Sequence, residues 1–285
     1  MNSRTWLITG ASRGLGKALA EYVLAQGDQA VVTASTVEAT SELAARYPNT
    51  ALALPLDVSD PQQRAEGVRR AEEHFGGIDI LVNNAAIDFI GALEEQEEDD
   101  YRRLFEINFF GPVALTRLVL PGMRKRGSGT VINVSSMDGL ASLAANGYYS
   151  ASKFALEGFT EALWQEIEPL GLRAMIIQPG SFRTGIEQRT RASGPAIADY
   201  AATAGAFRAM MGNLTPAMFP GDPEQAAKVI YQAAGSEELR HWIVLGSDAQ
   251  RRIDAKLTQL RTEFDAGRDV ALSTDFPGSA DHAVL

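Results

Sequence analysis

Thr5-Trp6-Leu7-Ile8-Thr9-Gly10-Ala11-Ser12-Arg13-Gly14-Leu15-Gly16 reads as a short apolar strand running into a glycine-rich turn. A helix follows, with Leu15, Leu19, Tyr22 and Val23 on its predicted buried side. Glycines at a strand-to-helix turn let the backbone bend tightly and approach a pyrophosphate, whose charge meets the helix N-terminus. The spacing is T-G-x-x-x-G-x-G rather than G-x-G-x-x-G. The same residues would also serve a tight turn that holds no ligand.

Working outward, Ala30-Val31-Val32-Thr33-Ala34 is the second strand. Its end, Ala34-Ser35-Thr36, offers no carboxylate for a ribose, whereas Arg13 can meet a 2′-phosphate. NADP is therefore expected over NAD; the competing reading of Arg13 is a solvated loop charge. Ala51 to Leu56 is the third strand, ending at Asp57-Val58, and Pro55 within it calls for an edge position or a bulge. A helix over about 61–75 leads to a strand over 79–82 and then Asn83-Asn84-Ala85-Ala86. Strands alternating with helices imply a parallel sheet wound by right-handed crossovers.

Residues 94–100, EEQEEDD, hold six acids in seven positions. They suggest a metal site or docking patch. Their place at the start of a long helix running to about Arg126 favours acids that complement the helix dipole and face water. Asn108-Phe109-Phe110-Gly111-Pro112 should loosen that helix, leaving the Asn108 backbone to bond water.

Thr130-Val131-Ile132-Asn133-Val134 is a buried strand, with Ser135 and Ser136 at its C-terminal end, where open α/β sheets place ligands. Tyr149 and Lys153 stand four residues apart, on one face of the next helix. A serine, a tyrosine and a lysine beside one crevice suit proton transfer at an oxygen. Free tyrosine ionises near ~10, and a close ammonium would pull that value towards working pH. Taken alone, a Tyr-x-x-x-Lys pair also arises by chance.

That helix continues with Leu156, Phe159, Leu163 and Ile167 buried, and Ala155 and Gly158 on a second stripe. A strand over 173–177 ends at Pro179-Gly180-Ser181-Phe182-Arg183-Thr184. Residues 185–220, rich in Ala, Met, Phe and Gly, read as a lid over the crevice, or else as a helical hairpin packed on the core. A helix over 223–235, a strand over 242–245, a helix over about 248–265 and a polar tail follow. No linker divides the chain, so residues 1–285 are expected to form one domain, with a C-terminal extension from about 247.

The 285 residues are 45% hydrophobic, enough for a large core. A net charge of −10, from 26 basic and 36 acidic residues, argues against broad nucleic-acid or anionic-membrane binding. The absence of cysteine excludes disulfides and thiolate metal sites, and His74, His241 and His282 lack ligand spacing, so no metal is expected. With neither a signal peptide nor an 18-residue apolar run read in the sequence, a cytoplasmic location is expected.

Together these residues resemble the short-chain dehydrogenase/reductase family, over about residues 4–246. Thr9, Gly10, Gly14 and Gly16 resemble its cofactor motif, with Ser12, Arg13 and Leu15 inside it. The resemblance places Asp57 at the adenine, with Val58 and Ser35 also among the cofactor-binding positions, and Asn83, Asn84 and Ala85 where the family supports the central sheet and lines the cofactor. Pro179, Gly180 and Thr184 match the segment at the nicotinamide. Asn108, Ser136, Tyr149 and Lys153 match its catalytic tetrad. Two departures are Ala86, where glycine is usual, and Ser35, where NADP-using members often carry arginine.

The resemblance implies a doubly wound (Rossmann) seven-stranded parallel sheet with helices on both faces. It implies NADP(H)-dependent hydride transfer with a ketone or secondary alcohol, expected to be apolar and medium-sized. Ser136 would hold the substrate oxygen and Tyr149 would move its proton. Lys153 would lower the tyrosine pKa and bind the nicotinamide ribose, and Asn108 would hold a water. The family's pairing through its two long helices implies a homodimer or homotetramer. Two other classes remain: a non-catalytic NADP-binding regulator, and a serine hydrolase using Ser12 in Gly10-x-Ser12-x-Gly14.

Overall fold

A strand buried on both faces must be apolar at consecutive positions, and β1 (Thr5–Ile8) shows why. Trp6 and Ile8 point to one side of the sheet and Leu7 to the other, and all three are fully buried. The computed structural model describes residues 3–185, 189–276 and 279. Beside β1 run β2 (Gln29–Ala34), β3 (Ala51–Pro55), β4 (Ile80–Asn83), β6 (Gly129–Val134), β7 (Leu172–Pro179) and β9 (Trp242–Leu245). These seven strands form one parallel sheet in the order β3-β2-β1-β4-β6-β7-β9.

Helices α1 (Gly14–Ala25), α2 (Glu38–Arg46) and α8 (Pro223–Gly235) cover one face, closing a core of Leu19, Val23, Leu43 and Ile230 over Trp6, Ile8 and Val32. On the other, α3 (Pro61–Phe75), α5 (Gly111–Arg126) and α6 (Gly147–Ile167) bury Val68, Leu115, Val119, Met123, Leu163 and Ile167 on Leu7, Val31 and Val131. Each such side chain contributes about 1.5–3 kcal/mol by leaving water. The doubly wound architecture is thus the one expected. Pro55 lies on the outermost strand, where its missing N–H breaks no ladder.

Strand order reverses between β1 and β4, so a crevice opens at the C-terminal ends of these strands. The long helix over 98–126 is interrupted as expected: α4 (Glu98–Phe105) passes through a π-helical turn, Glu106–Phe110, into α5. At Gly111 an added Cβ would lie 2.7 Å from the Val58 carbonyl oxygen, so close approach demands glycine there. By length and composition this run is apolar enough to cross a membrane, but Leu104, Leu115, Val119 and Met123 bury its inner side in the protein.

One expectation fails. The acidic run is not uniformly solvated: Glu95 and Gln96 are buried. The helix begins only at Glu98, so Glu95 sits in a loop whose side chain turns inward. It accepts hydrogen bonds from the backbone N–H of Ala92 (2.7 Å) and Ile197 (2.8 Å) and pairs with Arg208 at 2.8 Å. The region read as a lid consists of short pieces around α7 (Ala206–Gly212). A two-residue ladder, β5 (Phe89–Ile90) with β8 (Arg191–Ala192), ties it to the segment after β4. Ile186, one of the apolar lid residues, lies outside the described residues, as does His282. The C-terminal extension forms α9 (Ser247–Ala266) and α10 (Arg268–Leu272).

Candidate active site

The glycine turn crosses the crevice floor. Gly10 and Gly14 adopt left-handed φ values of +66° and +57°. A Cβ at Gly16 would stand 2.4 Å from Asn84 Nδ2 and 2.5 Å from the Gly10 carbonyl oxygen, so side chains are excluded. Helix α1 then starts at Gly14 with no side chain capping its first N–H groups, which remain available to an anion. Ala11 N–H donates to the Thr33 carbonyl at 2.8 Å, setting the turn against the end of β2. Arg13 and Ser35 are both exposed, and Ser12 and Leu15 are partly buried. This cradle fits the diphosphate of a dinucleotide, with Gly10–Gly16 as the residues that would hold it.

Asn84 fixes the cradle from below. Its Nδ2 donates to the Thr9 and Gly10 carbonyls (2.9 and 3.2 Å), while Thr9 Oγ1 accepts from the N–H groups of Asn84 and Ala85. Next door, Asn83 Nδ2 donates to Asn133 Oδ1 at 2.8 Å, stitching β4 to β6. Asp57 receives the Ser59 N–H and hydroxyl on one oxygen (2.9 and 2.6 Å), and Val58 is buried behind it. A Cβ at Gly14 would lie 3.0 Å from Thr184 Cβ, so the segment after Pro179-Gly180 closes onto the glycine turn. Ala86 is exposed at the crevice.

Three of the four residues matched to the tetrad, Ser136, Tyr149 and Lys153, converge at the end of β6, and Asn108 reaches this region through Ser152. Ser136 caps a short turn, Met137–Gly139, its Oγ accepting the Asp138 N–H at 3.1 Å. Tyr149 and Lys153 project from α6 with Lys153 Nζ 5.7 Å from the tyrosine ring centroid. Lys153 Nζ donates to the Val134 carbonyl at 2.8 Å. Asn108 lies within the π-helical turn; it exchanges hydrogen bonds with the Ile87 backbone, both 2.9 Å, and donates to Ser152 Oγ at 3.3 Å.

Electrostatics differ from the expectation. Burial pushes the Tyr149 phenol above its ordinary pKa, and the Asp88 and Asp138 carboxylates push the same way; the neighbouring Ser136 hydroxyl pulls it back. Burial also lowers Lys153 to about 8, opposed by Glu157 and Asp88. The expected lowering of Tyr149 by Lys153 is therefore not a property of the protein alone, because burial and then the Asp88 and Asp138 carboxylates outweigh it.

Several neighbours escape the sequence reading. Asp88 is raised to about 7, first by burial and then by Asp138. Glu157 is raised by burial; it accepts two hydrogen bonds from Gln178 (2.9 and 3.1 Å) behind Lys153. Its i+4 spacing from Lys153 is the available signal. Ser12 faces no catalytic histidine among the described residues. His241 precedes the edge strand β9, four strands from β1 and at the strands' N-terminal ends, away from the glycine turn, and pairs with Glu168 at 2.5 Å; His74 lies near the end of α3.

The short chain dehydrogenase family profile matches residues 4–195. This chain is a short-chain dehydrogenase. A solved short-chain dehydrogenase from Streptomyces avermitilis is 39% identical, covers 97% of this chain and 100% of its own, and superposes with a TM-score of 0.89. An uncharacterized oxidoreductase of Bacillus subtilis, YusZ, is 34% identical over 85% of this chain and 88% of its own. A metagenomic short-chain oxidoreductase in complex with NADP shares the fold at 23% identity and a TM-score of 0.68, over 85% of this chain and 96% of its own. As a short-chain dehydrogenase the chain is an oxidoreductase that uses a nicotinamide cofactor. The profile ends before α7, so α7, α8, β9 and the C-terminal helices lie beyond the stretch it matches.

Proposed function

We propose that the chain catalyses reversible hydride transfer between NADP(H) and a ketone or secondary alcohol. The observation that carries this reading is the convergence of Ser136, Tyr149 and Lys153 at the end of β6, with only β4 between that strand and the one that leads into the glycine cradle. Ser136 orients the substrate oxygen, Tyr149 donates or removes its proton, and two hydroxyl donors stabilise the alkoxide that develops there. Lys153 binds the nicotinamide ribose, and in that position its charge favours the phenolate. Asn108, fixed by Ile87, leaves the loosened helical turn free to hold a water. The bound nicotinamide supplies or accepts the hydride.

NADP is preferred because β2 ends on Ala34 without a carboxylate, while Arg13 stands exposed beside the cradle. An apolar, medium-sized substrate is supported by exposed Leu93, Leu143, Met210 and Met218. The regulator reading is less well supported, because all four tetrad positions are filled. The test is NADPH oxidation against cyclohexanone, acetophenone, ethyl acetoacetate and decan-2-one, with the matching alcohols in reverse. Turnover of at least one pair supports the reading; tight NADPH binding with no turnover of any would favour a regulator.

A further inference from the structure

Helix α9 begins two residues after β9, and one of its faces carries Asp248, Ala249, Arg252 and Ile253. Ala249 and Ile253 are buried, which seats the helix on the body. Its two charged residues on that face grip the segments that follow two neighbouring strands, β7 and β6. Asp248 Oδ2 accepts the Ser181 N–H at 2.8 Å, and a Cβ at Gly180 would come within 2.3 Å of Asp248 Oδ1. One turn further on, the Arg252 guanidinium pairs with the Asp138 carboxylate and donates to the Ala141 carbonyl.

Asp138 is the link to the chemistry. Its backbone N–H is the donor to Ser136 Oγ, and Asn146 Nδ2 holds its carboxylate at 3.1 Å. A serine hydroxyl has one proton and two acceptor positions. Asp138 N–H fills one acceptor position, and the hydroxyl also lies within hydrogen-bond reach of the Asp138 carboxylate and the Tyr149 phenol, so how that carboxylate is charged and held sets where the single Ser136 proton points. The Arg252–Asp138 pair is mostly withdrawn from water, with side chains 19% and 11% exposed. Losing the cation would leave a buried carboxylate uncompensated. It would then take up a proton or turn outward, and either response disturbs the turn that sets Ser136.

We propose that Arg252, delivered by the C-terminal helix, is a positioning residue for the Ser136 hydroxyl, acting through Asp138. This rests on the carbonyl-reductase reading above. It gives the extension a role in the chemistry, since α9 completes the wall of the site and sets the charge beside it. Asp138 is faced by Arg252 from α9, Asn146 from the segment before α6, Ser136 from its own turn, Asp88 from the segment after β4, and Tyr149 from α6. Of these, Arg252 is the cation that favours the ionised carboxylate.

The experiment compares wild type, Arg252→Ala, Arg252→Lys, Arg252→Gln, Asp138→Asn and the Arg252→Ala/Asp138→Asn double variant, using the best ketone of the panel. Misplacing a catalytic group costs up to about 100-fold, so kcat of Arg252→Ala should fall roughly 10–100-fold. NADPH affinity, read by fluorescence, should hold. The acid limb of kcat should move to higher pH, because Asp138 becomes harder to ionise. Methylguanidinium should restore part of the rate, Arg252→Lys should lie between, and the double variant should be no worse than Arg252→Ala. Hydrogen exchange over residues 137–141 should quicken in step. Wild-type kcat and pH profile in Arg252→Ala would overturn the assignment. So would a lower kcat with an unmoved acid limb and no response to methylguanidinium, the mark of a merely structural role. If Arg252→Ala does not fold, Arg252→Gln decides, since it keeps much of the volume and a hydrogen-bond donor but not the charge; an unmoved acid limb there also overturns it. Wild type that turns over no ketone would instead remove the carbonyl-reductase reading itself.

Discussion

Lys153 Nζ donates to the Val134 carbonyl at 2.8 Å while standing 5.7 Å from the Tyr149 ring centroid. The lysine is thus anchored to the strand that also presents Ser136, and its charge reaches the phenol only across a gap. In the protein alone, burial and the nearby acids dominate at Tyr149, whose phenol is held protonated. That state suits a proton donor, the role required in the reducing direction.

The acids around this gap give a pH signature. Asp88 is raised to about 7 by burial and Asp138. Between its unfolded and folded pKa values the native state binds the extra proton, so this group's contribution to stability falls as pH rises through that window and is constant above it. Asp88→Asn keeps the shape without the charge. It should leave thermal stability little changed near pH 4 and raise it increasingly towards pH 7, with a plateau above. An equal effect at pH 4 and pH 8, in melts followed by circular dichroism, would show that Asp88 is not the buried, titrating group.

Cofactor preference follows from Arg13 and the empty end of β2. NADPH should bind more tightly than NADH, and Arg13→Ala should narrow the gap by about tenfold, the worth of a charge-assisted hydrogen bond of ~1.5 kcal/mol. Fluorescence titrations giving equal affinities for the two cofactors in wild type would refute this.

The latch at Glu95 makes a third test. Glu95→Gln keeps the volume but removes the charge that holds Arg208 and the Ile197 N–H. Hydrogen bonds to charged groups contribute about 1.5–3 kcal/mol, so exchange at the Ile197 amide should quicken roughly 10–100-fold while the sheet amides are unaffected. Unchanged exchange at Ile197 would mean the segment is held by its Ala92, Ala145, Ala204 and Phe207 packing instead.

Phe110, at the end of the π-helical turn that leads into α5, and Phe154 on α6 are exposed, and a side chain at Gly158 would meet nothing within 4 Å. Pairing through these helices should give a dimer or tetramer by light scattering. Gly158→Arg fits the isolated chain but would obstruct the pairing, and so should yield a folded species near 30.7 kDa. Wild type already at that mass would rule the pairing out.

Much of the fold and site is legible in the sequence because the sheet imposes simple rules. β1 is apolar at consecutive positions since it is covered on both faces, and Pro55 announces an edge. Ser136, Tyr149 and Lys153 can be read because a strand end and an i,i+4 step fix their relative places. What cannot be read depends on contacts between distant segments. Glu95 looks like its acidic neighbours until Ala92, Ile197 and Arg208 are brought to it. Arg252 lies 114 residues from Asp138, and nothing in the local pattern of a charged amphipathic helix marks one arginine as a partner. The phenol's pKa is hidden for the same reason: spacing places Lys153 near Tyr149, but only the fold buries the ring and brings Asp88 and Asp138 beside it.

Replacing one hydroxyl tests the central claim most directly. Tyr149→Phe keeps the ring and should leave NADPH affinity nearly intact, while turnover of the best ketone falls by about 10²–10⁴-fold, the usual worth of a positioned general acid. Single-turnover measurement of NADPH oxidation, with binding measured separately, reads both quantities. A large loss of rate with cofactor binding retained is the predicted result; wild-type turnover in Tyr149→Phe would contradict the assignment of Tyr149 as the proton donor.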